Sequence, residues 1–441
     1  MTDRVPESGG TSAKRSARAL GGVLAAMAVS LTGTRVSAVA LPWFVLVTTG
    51  SATRTGLVAF VEMTPYVLVK AFTGPLVDRI GPRAVSWTTD LASALACAAV
   101  PLLYGLDLLS FPVLLALVAV IGAARGPGDL AKEVMVPEAA EHGRMPLERA
   151  TGLAGVTERL AGTVGPAAGG ALVALVGPLT GLAVNAACFA LGSLLIRLVL
   201  PRGMGRAAEE ALPGDGETGT GYWRRFGEGL AFLRGEPLLF TIILMLGVTN
   251  LLDAALGTVL LPVWAKESGG GAAAIGLLGS AMGATAVAGS LIAAIAAHRL
   301  PRRAVFVVGF LLAGAPRFLV LASGAPLGVV VAVFAVGGFG AGFINPMLSA
   351  VLFERVPRRM LGRVNALGDS LAWAGIPLGG LLAGAAVAAV GLVPVLLAGG
   401  AAYFLASNLT GLRPEWRQMG RTGTRTTPED TAKTPDPRLT A

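Results

Sequence analysis

Residues 54–106 read RTGLVAFVEMTPYVLVKAFTGPLVDRIGPRAVSWTTDLASALACAAVPLLYGL and contain two long apolar runs, 54–76 and 84–106. A helix that crosses a bilayer needs about 20 consecutive, mostly apolar residues, and each run is long enough. Backbone groups in lipid must be paired within the segment, so helices are the spanning elements expected for such runs. The stretch therefore predicts two transmembrane helices joined by the short charged loop 77–83.

The same pattern continues along the whole chain of 441 residues. Apolar residues make up 54% of the chain and charged residues only 14%, whereas an average soluble domain is about 25% charged. This composition excludes a single soluble core and indicates an all-α membrane protein. Apolar runs between charged or Pro/Gly-rich breaks predict twelve spans, named spans one to twelve in chain order: 20–47, 54–76, 84–106, 109–132, 148–176, 179–200, 237–263, 272–297, 304–322, 327–352, 364–389 and 393–412.

Positive charges are distributed unequally between the two sides of these spans. Of the 35 Lys and Arg residues, 26 lie on the side of both chain ends, and the opposite loops hold only Arg54 and Lys266. Cytoplasmic loops of membrane proteins carry such an excess of Lys and Arg. We therefore expect a multi-pass protein of the inner (plasma) membrane with both termini cytoplasmic. The net charge of +9 then reflects orientation and contact with membrane lipid, and no nucleic-acid partner is expected.

The spans fall into two sets of six, separated by the longest interior break. The predicted domains are a cytoplasmic N-terminal tail 1–19, an N-terminal six-helix bundle 20–200, a cytoplasmic linker 201–236, a C-terminal six-helix bundle 237–412 and a disordered cytoplasmic tail 413–441. The halves echo each other, because the loop Asp78–Arg83 after span two has a basic counterpart, His298–Arg303, after span eight. Such duplication is typical of transporters whose binding site lies between the halves.

The chain lacks the sequence features of the common enzyme classes. No Gly-Lys-Ser or Gly-Lys-Thr is present, so a phosphate-binding loop for ATP hydrolysis is not expected. The only two histidines, His142 and His298, are far apart in sequence and support neither a metal site nor a catalytic triad. We therefore expect a monomer that is not an enzyme, holds no cofactor or metal, and acts on a small molecule.

The loop between spans two and three carries a recognisable motif, Gly-Pro-Leu-Val-Asp-Arg-Ile-Gly-Pro-Arg, at residues 74–83. It resembles the loop 2–3 signature of the major facilitator superfamily, which is Gly, three residues, Asp, a basic residue, one residue, Gly and two basic residues. The matching positions are Gly74, Asp78, Arg79, Gly81 and Arg83, and Pro82 replaces the first residue of the final basic pair. The resemblance implies the superfamily fold of twelve transmembrane helices in two pseudo-symmetric halves. It also implies that Asp78 helps to hold the inner gate closed.

Span five carries a second motif. Gly152, Gly165, Pro166, Gly169 and Gly170 resemble the antiporter signature of superfamily exporters, with Ala161 where a glycine is usual. Small residues also favour close helix packing in membranes, so the same residues predict a tightly packed helix. The two interpretations are compatible, because a glycine groove with a proline lets two helices pack and then shift.

Further stretches resemble the superfamily branch that holds the enterobactin exporter and macrolide-efflux proteins. They are Gly50–Thr53, Asp90 after Asp78, and Gly362–Asn365. This resemblance covers spans one to twelve and implies alternating access with proton antiport of a small amphipathic compound, such as a drug, an antibiotic, a siderophore or a secondary metabolite. The alternatives are an importer or facilitator on the same fold, or a receptor or scaffold that transports nothing.

Charged residues within the spans are candidates for coupling proton movement to transport. A charge at the bilayer centre costs about 2.5–3.5 kcal/mol on insertion scales, so each one suggests a function. A rise of about 1.5 Å per residue brings Arg35 of span one and Glu62 of span two to similar depths. We therefore predict an Arg35–Glu62 pair in which Glu62 takes up a proton and releases Arg35, with a permanent ion pair as the alternative. Asp253, deep in span seven, is the third candidate for proton coupling.

A second group of charges lies nearer the cytoplasmic ends of spans two to four. Lys70, Asp90, Arg125 and Asp129 all fall within roughly 8–14 Å of those ends. Arg125 and Asp129 are four residues apart and share one helix face. Together with Asp78 these residues are expected to form an inner latch, and a static network that neutralises its own charges is the alternative.

Overall fold

The computed structural model describes residues 9–201, 227, 230–296, 301–356 and 361–412. Within these ranges the secondary structure is entirely helical, as the sequence predicts. Most of the predicted linker 201–236, and all of the predicted tail 413–441, fall outside the described residues.

The helices coincide with the predicted spans. Spans one to six are Gly9–Thr49, Ala52–Phe72, Pro82–Gly105, Phe111–His142, Leu147–Val176 and Pro178–Val199. Spans seven to twelve are Pro237–Glu267, Gly271–Ala296, Arg302–Ala322, Leu327–Arg355, the consecutive helices Leu361–Trp373 and Ile376–Val390, and Leu392–Leu412. The largest differences are in span one, which begins at Gly9 instead of residue 20, and in span four, which continues to His142 instead of ending near residue 132.

Length and composition support eleven membrane crossings in the described part of the chain. In the twelfth span, Leu392–Leu412, the apolar stretch is the shorter segment Leu392–Asn408. At a rise of about 1.5 Å per residue it is roughly 25 Å long, slightly less than a typical hydrocarbon core of about 30 Å. The twelfth crossing therefore stays a prediction.

Several helices contain local breaks. After span two, the short helix Gly74–Ile80 ends at Gly81, whose φ of 91° favours a glycine. Span seven contains a π-helical turn, Leu256–Leu260. Span nine is interrupted at Gly314, where the ring of Tyr403 from span twelve occupies the place of a side chain. Such turns and breaks let a membrane helix change direction while its backbone groups stay paired by neighbours.

The helices alternate in direction, which defines two faces of the bundle. Span one begins and span twelve ends at one face, here the terminal face, and the opposite side is the far face. Arg83 at the start of span three contacts the end of span six at Arg197. Arg302 at the start of span nine contacts Glu354 at the end of span ten. Both contacts lie at the terminal face, one in each half.

The two halves pack together at the far face. One large apolar cluster combines residues 39–46 of span one with residues 255–265 of span seven and 272–278 of span eight. The Lys266 ammonium donates to the carbonyl of Leu46, at 3.4 Å. The terminal part of the N-terminal half instead forms a separate cluster of its own. Apolar packing between the halves is thus concentrated away from the terminal face.

Glycines bring the backbones of the two halves into contact near the far face. A Cβ atom at Gly170 of span five would lie 2.6 Å from the Cα of Gly276 in span eight. A Cβ atom at Gly56 of span two would meet the carbonyl of Gly380 in span eleven. Small residues permit such close helix contacts in membranes. Spans two, five, eight and eleven therefore close the far face.

Candidate functional site

A cavity of about 600 Å³ lies between spans one, two, four and five. Its lining residues lie toward the terminal face, because residues 151–158 belong to the first half of span five, and Tyr66 and Lys70 to the last third of span two. Ligand pockets for drug-sized molecules have volumes of about 300–1,000 Å³. The cavity is therefore large enough for a small organic molecule.

A second cavity of about 410 Å³ lies between spans seven, ten and eleven. Its wall is mainly aliphatic and includes Leu239, Ile242 and Leu246 of span seven. Trp373 of span eleven lines both cavities, so they adjoin at this side chain. The combined space has a charged wall from the N-terminal half and a mainly aliphatic wall from the C-terminal half, which also carries Asn250 and the exposed Asp369.

Glu62 forms an ion pair with Arg125, which corrects the predicted Arg35–Glu62 pair. The Arg125 guanidinium donates to Glu62 at 3.0 Å, and the two side chains are only 13% and 18% exposed. Arg125 also lies 3.8 Å from Asp129, and its guanidinium stacks 4.4 Å from the centre of the Tyr66 ring. Arg125 lines the larger cavity and Glu62 lies behind it.

The packing of span four against span two explains this pairing. A Cβ atom at Gly122 would meet the carbonyl of Glu62, and one at Gly126 would lie 2.9 Å from the carbonyl of Tyr66. Gly122 and Gly126 are four residues apart and form a close-contact face of the type that associates membrane helices. Because these glycines bring span four against span two, Arg125 is carried to Glu62.

Arg35 instead faces span five. A Cβ atom at Gly165 would meet the Cβ of Arg35, so span one packs directly on the glycine face of span five. The Arg35 side chain is exposed and lines the larger cavity. Within the described ranges it makes no ion pair. The predicted pair rested on equal depth, and depth does not fix which side of the helix a residue occupies.

Asp90 is paired with Lys132, a residue that the sequence analysis missed. The Lys132 ammonium donates to Asp90 at 2.7 Å, and the side chains are 3% and 2% exposed. The Ser30 hydroxyl donates to the second carboxylate oxygen at 3.3 Å. This pair is the most deeply buried ion pair in the described part of the chain.

Lys70 has a third set of partners. Its ammonium donates to Glu133 at 3.3 Å and lies 5.2 Å from the ring centre of Trp373 in the other half. The Tyr66 hydroxyl donates weakly to Asp129, at 3.5 Å. Lys70, Arg125 and Asp129 therefore lie near one another along the cavity wall, whereas Asp90 belongs to a separate buried pair.

Asp253 is joined to Arg317 of span nine, a partner that the sequence analysis did not predict. The Arg317 guanidinium donates to Asp253 at 2.6 Å, and the Tyr403 hydroxyl lies 3.5 Å from the same carboxylate. Arg317 is 5% exposed and Asp253 is 38% exposed. The pair lies beside both irregular segments, the π-helical turn of span seven and the break at Gly314.

The gating motif lies at the terminal face. Its backbone forms the short helix 74–80 and the turn at Gly81, and Arg79 is exposed. Arg83 donates to the carbonyl of Arg197 at 2.7 Å and so ties this loop to span six. The side chain of Asp78 is outside the described residues, so its role in the inner gate stays a prediction.

The C-terminal half has a corresponding tie at its terminal end. Arg302 donates to both carboxylate oxygens of Glu354, at 2.5 and 2.8 Å. These hydrogen bonds from the guanidinium lower the pKa of Glu354. The preceding residues 297–300, which include His298, are outside the described part of the loop. Each half thus has an arginine that connects the start of its third helix to another helix end.

The glycines of span five have different neighbours. Gly165 and Gly169 pack against Arg35 and Val36 of span one, in the same half. Gly170 and the carbonyl of Pro166 instead contact span eight, in the other half. No heavy atom of the described packing lies within 4 Å of a Cβ atom built at Gly152. The motif therefore packs one helix against both halves, and its first glycine has no steric role in this arrangement.

The fold and the cavity define a class of protein. A bundle of membrane-spanning helices in two halves, joined at one face and enclosing a cavity toward the other, is the architecture of a secondary transporter. The chain belongs to the transmembrane secretion effector family of the major facilitator superfamily, whose model matches residues 16–436. It is a multi-pass membrane transporter of small molecules and not an enzyme.

Curated relatives and solved structures agree with this assignment. The chain is 34% identical over 380 residues to the multidrug efflux pump Tap of Mycobacterium tuberculosis, covering 85% of this chain and 88% of that protein. It is 32% identical over 385 residues to Tap of Mycolicibacterium fortuitum, covering 85% and 92%. A crystal structure of the nucleoside transporter NupG has a TM-score of 0.73 with 15% identity, covering 90% of this chain and all of that one. This last likeness concerns the fold alone.

Proposed function

We propose that the chain exports small amphipathic molecules, drugs among them, in exchange for protons by alternating access. The observation that carries this proposal is a largely buried carboxylate, Glu62, whose arginine partner lines a cavity with a mainly aliphatic second wall. The relatives at 34% and 32% identity are multidrug efflux pumps, and span five has the glycines of the exporter signature. Each chain encloses a complete cavity, which supports a monomer as the working unit.

The proposed cycle begins with the cavity open to the cytoplasm and Glu62 ionised against Arg125. A cationic partner favours the ionised carboxylate, whereas removal from water favours the neutral acid. When the halves rock and the cavity faces outward, a proton taken up by Glu62 frees Arg125. Return of the proton to the cytoplasm restores the pair and resets the transporter. An importer on the same fold is the alternative, and the experiments below separate the two.

Orientation forms part of this proposal: the terminal face is cytoplasmic and the protein lies in the plasma membrane. The 26 positive charges on the side of the chain ends support it, against two in the opposite loops. A membrane-impermeant maleimide applied to intact cells should label Ser323→Cys at the far face and not Glu141→Cys at the terminal face. Both variants carry Ala at Cys97 and Cys188. The reverse labelling pattern would contradict the orientation.

Export is tested in everted membrane vesicles, whose interior becomes acidic during respiration. Three amphipathic dyes of different charge serve as probes: ethidium, tetramethylrhodamine and fluorescein. For an exchange of one proton per dye, a pH difference of one unit supports about tenfold accumulation. We expect at least one dye to accumulate in vesicles that contain the chain, and nigericin, which collapses the pH difference, to abolish it.

Vesicles without the chain provide the background. Accumulation that survives nigericin would refute proton coupling, and accumulation only in right-side-out vesicles would favour import. If none of the three dyes accumulates above background, the export proposal fails for amphipathic dyes as a class.

A further inference from the structure

The charges of the larger cavity are not all internally balanced. Lys70 is paired with Glu133, Arg125 with Glu62 and Asp129, and Lys132 with Asp90. Among the described lining residues, two charged side chains have no ion-pair partner, Arg35 of span one and Glu158 of span five. Both are exposed to the cavity. One free cation and one free anion thus face the same space.

The two unpaired groups are held on helices that pack together. Span one contacts span five where the Cβ of Arg35 meets Gly165. Glu158 precedes Gly165 by seven residues, which places it roughly 10 Å nearer the terminal face along the same helix. The two groups are therefore offset along the transport axis, on side chains long enough to reach opposite ends of one ligand.

The rest of the cavity is suited to an apolar body. Trp373 offers an aromatic surface at the junction of the two cavities, and the aliphatic side chains of span seven continue the wall. Aromatic and aliphatic walls with a few fixed polar groups are typical of small-molecule sites. A charge in a membrane span is retained at a cost, so two uncompensated ones suggest interaction with a ligand.

We propose that the preferred substrates are zwitterions with an apolar or aromatic body, in which Arg35 binds the anionic group and Glu158 the cationic group. This inference deepens the proposed export function and rests on it for transport, but binding tests it independently. A purely cationic ligand would leave Arg35 uncompensated, and a purely anionic ligand would leave Glu158 uncompensated. A zwitterion satisfies both groups and adds no net charge to the cavity.

The test compares tetramethylrhodamine, a zwitterion, with its methyl ester, a cation of nearly the same shape. Binding to purified full-length protein in lipid nanodiscs is followed by fluorescence anisotropy, with no pH gradient. In the wild type the zwitterion should bind about tenfold more tightly than the ester, the effect of one charge-assisted hydrogen bond. Arg35→Gln should remove this preference by weakening the zwitterion alone, and Glu158→Gln should weaken both dyes.

Arg54→Gln and Glu267→Gln are matched controls near the far face, outside the cavity lining, and should bind both dyes like the wild type. Equal affinity of the two dyes in the wild type, or failure of both to bind, would overturn the inference. So would equal weakening of both dyes by Arg35→Gln. A clear preference for the zwitterion with no proton-driven accumulation in vesicles would instead contradict the proposed export function and uphold the site.

Discussion

Replacing Glu62 by Gln should abolish dye accumulation driven by a pH gradient while leaving dye affinity within about threefold of the wild type. Gln keeps the shape of Glu62 and can still accept a hydrogen bond from Arg125, but it cannot exchange a proton. The inward-open and outward-open states then remain accessible, and their interconversion no longer depends on a proton. The expected protein is therefore folded and binds dye, but cannot concentrate it.

The measurement combines two assays on the same preparation. Fluorescence anisotropy gives dye affinity, and everted vesicles give the accumulation ratio with and without nigericin. Glu133→Gln is the matched control, because Glu133 also forms an ion pair between spans two and four, with Lys70, but is 56% exposed. An exposed ion pair contributes little to stability, so the Glu133→Gln protein should keep most of the gradient-driven accumulation.

Two outcomes would contradict the coupling role of Glu62. Normal uphill accumulation by Glu62→Gln would move the assignment to Asp253, which is bound to Arg317 within the spans of the C-terminal half. Loss of folded protein would favour a permanent structural pair, because removing one partner of a buried pair leaves an uncompensated charge. Arg125→Gln with Glu62→Gln separates these cases, since a structural defect should be relieved when both charges are removed.

The sequence predicts the helices well because the signal is local. A long apolar run must be helical in lipid whatever its neighbours are, so the span positions follow from composition alone. The depth of Arg35 and Glu62 is also a local quantity, fixed by the rise of each helix. Rotation about the helix axis depends on the packing of other helices, and the predicted Arg35–Glu62 pair was wrong for this reason.

The correct partner of Glu62 had a sequence signal. Gly122 and Gly126 flank Arg125 on span four, and their spacing marks a face for close helix contact. Arg125, Asp129 and Lys132 follow at intervals of four and three residues, which places all of them on one side of the helix. Treating Arg125, Asp129 and Lys132 as one helix face would have placed Lys132 in the inner charge group with Asp90.

The Asp253–Arg317 pair could not be read in this way. It joins spans seven and nine across 64 residues, and the two helices have no shared motif. The two side chains meet beside two irregular segments. One is the break at Gly314, where the Tyr403 ring occupies the place of a side chain, and the other is the π-helical turn after Asp253. These are tertiary features, and neither leaves a periodic pattern in the apolar runs.

Replacing Lys132 by Met should destabilise the fold by about 3–5 kcal/mol, because it leaves the Asp90 carboxylate buried without its counter-ion. The pair is 3% and 2% exposed, so water cannot replace the lost ammonium. A Cβ atom at Gly192 would lie 3.1 Å from Asp90, and one at Gly128 would lie 3.3 Å from it. With helices this close on two sides, the carboxylate cannot swing away to solvent.

The double variant Asp90→Asn with Lys132→Met separates the electrostatic effect from packing. Removing both charges leaves a neutral amide that still accepts a hydrogen bond from Ser30, so most of the lost stability should return. The measurement is the free energy of unfolding in detergent micelles by denaturant titration, for both single variants and the double variant. Lys70→Met is the control, because it breaks the partly exposed Lys70–Glu133 pair. It should lower the free energy of unfolding by less than about 1 kcal/mol.

The energetic coupling between the two substitutions, measured as a change in the free energy of unfolding, distinguishes a permanent ion pair from a mobile one. A static pair predicts that the double variant is more stable than Lys132→Met by roughly 2 kcal/mol or more, as for other broken buried pairs. The same double variant should keep gradient-driven accumulation, because a neutral substitute at a static pair leaves the coupling carboxylate at Glu62 intact. Additive destabilisation would show that the two charges do not stabilise each other. If the double variant is as stable as the wild type but no longer accumulates dye, Asp90 and Lys132 would instead belong to the latch at the terminal face.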